Sequence, residues 1–417
     1  MNIKSCLRVF SMLIALVFLL TASIIHPVEI NDQVRTFTRP YEFDYSSWTV
    51  KALFNKWVET SLRLISQLDS VQKRAAVNEY LQLVRDITTL EVQIDSILNN
   101  PNHTTPEQEI ESYFQELKKS ESRLTEVQII TETVLQFQTN SILANMDLAL
   151  AGQSFPPILF HTSGLPMQLI ISPREVIRQD ASISLMPDIE LHEIIELEKE
   201  IESALTISAL VVPLGGVSTY PSMVIRTSDL SFLLETIAHE WIHNYLALFP
   251  LGMHYSSSPQ LRTINETVAS IGGKEISQAV LRQFYADLLP PQPLTPKDYA
   301  IGTTQDESTF DFRLEMYLTR LHVDQLLAQG KIDMAEEFME NRRKAFWNHG
   351  YTIRRLNQAY FAFHGAYADA PYGAAGDDPV GATVRVLREK SDSLADFINR
   401  IRWVSTYEDL QRMAYSY

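Results

Sequence analysis

Residues 239–243 read His-Glu-Trp-Ile-His, and Asn265-Glu266 follows further along the chain. Two histidines four positions apart lie on one face of a helix, about one turn from each other. Their ring nitrogens can grip one metal ion, and Glu240 beside the first can reach a water on that ion. A downstream glutamate completes a three-ligand set with one open position, the arrangement of catalytic rather than structural zinc. The expected site is therefore one Zn2+ per chain on His239, His243 and Glu266.

The third ligand has a rival in His254. That residue lies in a Gly252-Met253-His254-Tyr255 loop that would have to fold straight back, whereas Glu266 on a facing helix offers a rigid carboxylate. The longer metzincin pattern needs glycine at 246 and histidine at 249, and the chain has Leu246 and Phe249. Asn265 and Thr267 are expected to support the site or fill the core. A near-miss, His192-Glu193-Ile194-Ile195-Glu196, lacks the second histidine and reads as helix surface.

The elements that must position these residues are legible in outline. Thr227-Ser228-Asp229 can cap the motif helix, whose apolar positions are Leu230, Leu233, Leu234, Ile237, Trp241 and Leu248. Short apolar segments between prolines predict strands at Pro157–His161, Met167–Ile171, Ser182–Met186, Ala209–Val212 and Met223–Ile225. A helical stretch, 190–205, falls among them. From Leu261 onward the pattern is mainly helical, broken at 290–296 and 371–379. Upstream, Trp48–Leu98 has no proline or glycine, and its apolar residues recur at helical spacing. After the Asn99-Asn100-Pro101-Asn102 break, Thr105-Pro106-Glu107-Gln108 starts a second helix, to about Leu150. These predict a helical hairpin over 46–150, either a partner-binding arm or, on balance, an element packed on the main domain.

The chain has 417 residues, 45% apolar and 21% charged, with a net charge of −16. This is the composition of a globular protein. Its acidity speaks against nucleic acid as a partner. Lys4 and Arg8 precede the apolar run Val9–Ile25, which is near the lower limit for crossing a bilayer. Residues 1–26 are thus expected to be a single-pass membrane anchor that leaves the rest outside the cytoplasm, with cleavage and secretion as the alternative. Residues 27–45 are polar and read as a linker. Cys6 is the single cysteine, so the folded body has neither disulfides nor cysteine-ligated zinc.

HEWIH followed by Asn265-Glu266-Thr267-Val268-Ala269 resembles the gluzincin metallopeptidases. Leu356-Asn357-Gln358-Ala359 with Tyr360 and Tyr367, then Ser393-Leu394-Ala395-Asp396-Phe397, is similar to bacterial proteins called predicted aminopeptidases. The resemblance covers about residues 155–417. It implies an α+β, mainly α chain with a zincin-like peptidase domain over 151–417: strands and the motif helix in 151–250, the third ligand in 251–417. It also implies that Glu240 is the general base and that a downstream Tyr360, His364 or Tyr367 steadies the oxyanion. Gly215, Gly216 and Val217 could pair with an extended peptide substrate. Two departures stand out. Ser270 occupies the place of an aspartate that orients a zinc-binding histidine in thermolysin-like enzymes, and 215–220 holds no acidic residue to grip a substrate amine. The expected function is a zinc metallopeptidase acting on a peptide or protein. The alternatives are a zinc hydrolase for another bond, or a catalytically silent metal scaffold whose helical arm binds a partner. Glu240 favours catalysis, since a structural site has no need of it.

Overall fold

The computed structural model describes residues 30–62, 68–98, 107–289, 310–365 and 379–415. The expected membrane segment and Tyr367 lie outside them. The fold is α+β and mostly helical, with small sheets. Among the described residues no helix is long and apolar enough to cross a membrane.

The chain opens with α1 (Ile30–Thr38), α2 (Tyr45–Leu62), α3 (Ser70–Leu98) and α4 (Glu107–Asn145). A small hairpin, β1 (Ala149–Leu150) and β2 (Gln153–Ser154), leads into β3 (Phe160–Ser163), β4 (Met167–Pro173) and β5 (Ala181–Leu185). Next come α5 (Leu191–Leu205), β6 (Ile207–Pro213), β7 (Gly216–Val217) and β8 (Ser222–Ile225). The site helices α6 (Leu230–Leu246), α7 (Pro250–Met253) and α8 (Pro259–Phe284) follow. The chain ends with α9 (Phe312–Ala328), α10 (Ile332–Asn348), α11 (Gln358–His364), α12 (Pro379–Glu389), α13 (Leu394–Ile401) and α14 (Tyr407–Tyr415).

Two three-stranded sheets frame the site. One has the order β5-β4-β6, antiparallel throughout; the other is β3-β8-β7, with β3 parallel to β8 and β7 antiparallel to it. Side chains alternate across the first sheet. Leu169, Ile171, Ile183 and Val211 pack on one face with Leu197 and Ile201 of α5. Ile170, Leu210 and Val212 pack on the other with Ala359 and Phe363 of α11. The predicted strands appear, but β3 starts later than Pro157, since Pro156 and Pro157 have no N–H for a ladder.

Three expectations need correction. Residues 30–45 are not a linker: Ile30, Val34 and Phe37 recur at helical spacing, and Val34 is fully buried in the core around β4. The helix expected over 48–98 is two helices. Asp69 and Gln72 form a capping pair at the start of α3, Gln72 N–H donating to Asp69 Oδ1 (2.8 Å) and Asp69 N–H to Gln72 Oε1 (3.0 Å). The hairpin stripe is only partly inward, with Phe54, Val71, Phe114 and Phe137 exposed.

The hairpin packs on the rest of the protein. Val77, Tyr80, Leu124, Val127 and Val134 share one hydrophobic core with Ile237, Trp241, Ile264, Val268 and the C-terminal helices. A buried polar cluster fastens the same contact. Glu132 on α4 pairs with Lys56 of α2, accepts from Thr162 N–H (2.7 Å) and from Gln128 (2.8 Å), and faces His161 Nδ1 at 3.2 Å.

Candidate metal centre

The motif helix begins where the sequence placed its cap: Asp229 Oδ1 accepts from Phe232 N–H at 3.1 Å. Leu233, Leu234, Ile237, Trp241 and Ile242 are buried and fix its rotation, whereas Leu248 lies past its end and is exposed. The partner helix α8 is capped by Ser258, with Pro259 in its first turn. Gly272 and Gly273 let α8 approach α6 closely. A Cβ at Gly272 would stand 2.4 Å from Ile242 Cδ1, and one at Gly273 would stand 3.0 Å from the Glu235 carbonyl and 3.2 Å from His239 Cβ. This approach sets Glu266 opposite the two histidines.

The three expected ligands converge. His239 Nε2 and His243 Nε2 are 3.0 Å apart, and Glu266 Oε2 lies 3.5 Å from the first and 3.3 Å from the second. Ligand atoms at zinc bond lengths in a tetrahedral set sit about 3.3 Å from one another. Glu266 Oε2 is buried and no N–H is aligned to satisfy it, the condition of a carboxylate oxygen that a cation would complete. The donor set therefore fits a divalent ion such as zinc. His254 does not compete: it is exposed, and its Nδ1 lies 2.8 Å from the Pro250 carbonyl.

Asn265 supplies the support that Ser270 does not. Its Nδ2 donates to the Leu251 carbonyl (3.3 Å), which turns Oδ1 toward His243 Nδ1 at 2.7 Å. Nδ1 then carries the hydrogen, and Nε2 faces the metal position. Burial works against a charge on His243, but the adjacent Glu266 carboxylate outweighs it and raises the pKa to about 9. Burial likewise opposes ionisation of Glu266, and the two imidazoles overcome it, holding the carboxyl well below its usual range. Without metal, a proton on the imidazoles balances the glutamate.

Glu240 is buried beside this cluster. Ser218 Oγ donates to its Oε2 at 2.5 Å. Gly216 leaves room for it, since a Cβ there would come within 2.3 Å of Oε1. Both glutamates and both histidines open onto a cleft of about 780 Å³. Gly216 and Val217 line this cleft and form β7, the outer strand of its sheet. Gly215 instead backs onto the Phe232 ring.

Tyr360 and His364 are not among the residues lining the cleft. Phe361, Ala362 and Phe363 of α11 line it instead, while Tyr360 packs against two neighbouring cores and stacks on His364 with ring centroids 4.3 Å apart. Burial raises the Tyr360 pKa to about 12 and lowers that of His364 to about 4. In their place the cleft receives Tyr255, Arg262 and Arg320. The Tyr255 hydroxyl donates to Glu266 Oε1. Burial, together with that carboxylate, pushes the Tyr255 hydroxyl pKa far up. Local sequence gave no sign of Tyr255, nor of Ser218 as a partner of Glu240. Arg262 stands four residues before Glu266, a spacing that places both on one helical face. The near-miss His192 is exposed and lies 3.1 Å from Glu190, as helix surface. Compared with known proteins, the chain matches no family profile, no curated protein and no solved structure.

Proposed function

We propose that this chain is a zinc-dependent hydrolase of peptide bonds with Glu240 as its general base. The observation that carries the reading is the convergence of His239 Nε2, His243 Nε2 and Glu266 Oε2 beside a buried glutamate at the base of an open cleft. A metal-only scaffold has no use for Glu240, held by Ser218 and accommodated by a glycine.

Zinc bound at the three ligands would supply Lewis acidity to a water and to the carbonyl under attack. The chain's own residues account for the rest. Glu240 accepts the proton that water gives up, then returns it to the leaving amine. Ser218 orients the carboxylate for both transfers. An extended substrate adds to the outer edge of β7, where Gly216 permits close approach of its backbone. Asn265 keeps the His243 ring aimed, and Tyr255 keeps Glu266 aimed. On the same reading, residues 151–417 form a zincin-like domain, and residues 1–26 anchor it with the cleft outside the cytoplasm.

The test is to purify the chain, measure bound zinc, and compare a peptide library against Glu240→Gln. The expected outcome is zinc near one equivalent in both proteins and cleavage reduced by about 10²- to 10⁴-fold in the variant. Equal cleavage by the two would sink the mechanism.

A further inference from the structure

The cleft holds one charge that hydrolysis itself leaves without a task. Arg262 sits on α8 one turn before Glu266, and both line the cleft. Its Nε donates to the Tyr255 hydroxyl at 3.4 Å, and its Nη1 donates to the Ala362 carbonyl at 3.3 Å. A guanidinium has five N–H donors in a planar fork, so part of the fork stays open after these two bonds.

The other cleft charges are accounted for. Arg178 pairs with Asp180 at 2.5 Å and Arg320 with Asp324 at 2.7 Å. Glu240 and Glu266 belong to the metal centre. Among the described residues no carboxylate pairs with Arg262. A half-buried cation without a counter-ion is unfavourable unless a ligand brings the opposite charge. Arginine suits a planar carboxylate, which it can hold by two parallel bonds.

We infer that Arg262 binds a carboxylate of the substrate and so selects among peptides. This rests on the peptidase reading above and narrows its substrate class. The guanidinium is one hydroxyl away from a metal ligand, through Tyr255. The carboxylate it holds therefore lies in the same cleft as the bond under attack. The group is either the peptide's own C-terminus or an acidic side chain.

The experiment uses the zinc-loaded full chain carrying Glu240→Gln, so that binding is read without turnover. Calorimetry compares two matched pairs of acetylated peptides. One pair differs only in a free or amidated C-terminus; the other, amidated in both members, differs in an internal Glu or Gln. Each pair is titrated with Arg262 intact, with Arg262→Lys and with Arg262→Met. The expected result is a preference of about 10- to 100-fold for the carboxylate member of one pair. It falls to about one in Arg262→Met and is partly kept in Arg262→Lys. The pair that shows the preference identifies the carboxylate's source. No preference with Arg262 intact, or an equal preference after Arg262→Met, overturns the inference. Because each comparison is a ratio within one protein, a general loss of affinity in a variant does not mimic the effect. Library cleavage with a failed preference removes the carboxylate anchor alone; a preference with no cleavage by the unmodified chain removes the peptidase reading alone.

Discussion

His243 Nδ1 and Asn265 Oδ1 are 2.7 Å apart, and this contact decides which ring nitrogen faces the metal position. Asn265 neighbours Glu266 in sequence, so one turn of α8 both supplies one member of the candidate triad and orients another. Asn265→Ala is expected to lower zinc affinity by about 10- to 100-fold with little loss of helix content, as for other residues that orient metal-binding histidines. Competition with a chelator of known affinity measures it. Unchanged affinity would show that the ring is held some other way.

Removing the metal should expose a pH dependence. In the metal-free protein the His243 pKa is raised to about 9 from an ordinary 6.5. A raised folded-state value contributes stability that is fully present below pH 6.5 and lost as pH climbs through about 9. Urea midpoints of the metal-free chain should fall across that window, while those of the zinc-loaded chain change less there. Zinc affinity should rise over the same window, because the ion no longer displaces a proton. Midpoints flat from pH 6.5 to 9 would contradict the pairing of His243 with Glu266.

Gly216→Ala should separate catalysis from metal binding. Its new Cβ meets the Glu240 carboxylate at 2.3 Å, so Glu240 must move. Zinc content should stay near that of the unaltered chain while peptide cleavage drops by about 10²-fold or more, since small displacements of reacting groups are costly. Parallel metal analysis and cleavage assays make the comparison.

Gly273→Val should act on the metal centre through packing. The added side chain meets the Glu235 carbonyl and His239, neither of which can yield far. A cost of about 1–3 kcal/mol in stability is expected, with weaker zinc binding as α8 moves off α6. Denaturant midpoints with and without zinc test both parts.

Lys56→Met removes the ammonium from buried Glu132. Breaking one side of a buried pair leaves a charge uncompensated, for about 3–5 kcal/mol of destabilisation. Chemical denaturation would detect this readily. A much smaller change would mean that Thr162, Gln128 and His161 suffice for Glu132 without the ammonium.

The candidate triad was legible because local chemistry dictates its spacing: His239, Glu240 and His243 share one helical turn, and Glu266 stands on the next long helix. The cap at Asp229 was also written locally, whereas the cap at Asp69 lies within a run whose apolar period reads as one helix. Tyr360 and His364 do not line the cleft, for a physical reason. Their residue types suit an oxyanion donor, but the face that α11 turns inward is set by its packing under β4 and β6, which no local pattern reveals. Ser218 and Tyr255 reach the site only through the closure of β7 and the turn after α6 onto it, whereas Arg262 shares a face of α8 with Glu266. Residues 30–41 looked like a linker by polarity, and their few apolar positions decided otherwise.

The core shared by the hairpin and α6 has a thermodynamic consequence. Leu124 and Val127 on α4 belong to the same cluster as Ile237 and Trp241, on the helix that carries the metal ligands. On the zinc reading, opening the hairpin and releasing the ion are therefore linked equilibria. Zinc should slow amide exchange along α4, which holds none of the triad, and whatever pries α4 loose should weaken the grip on zinc by the same free energy.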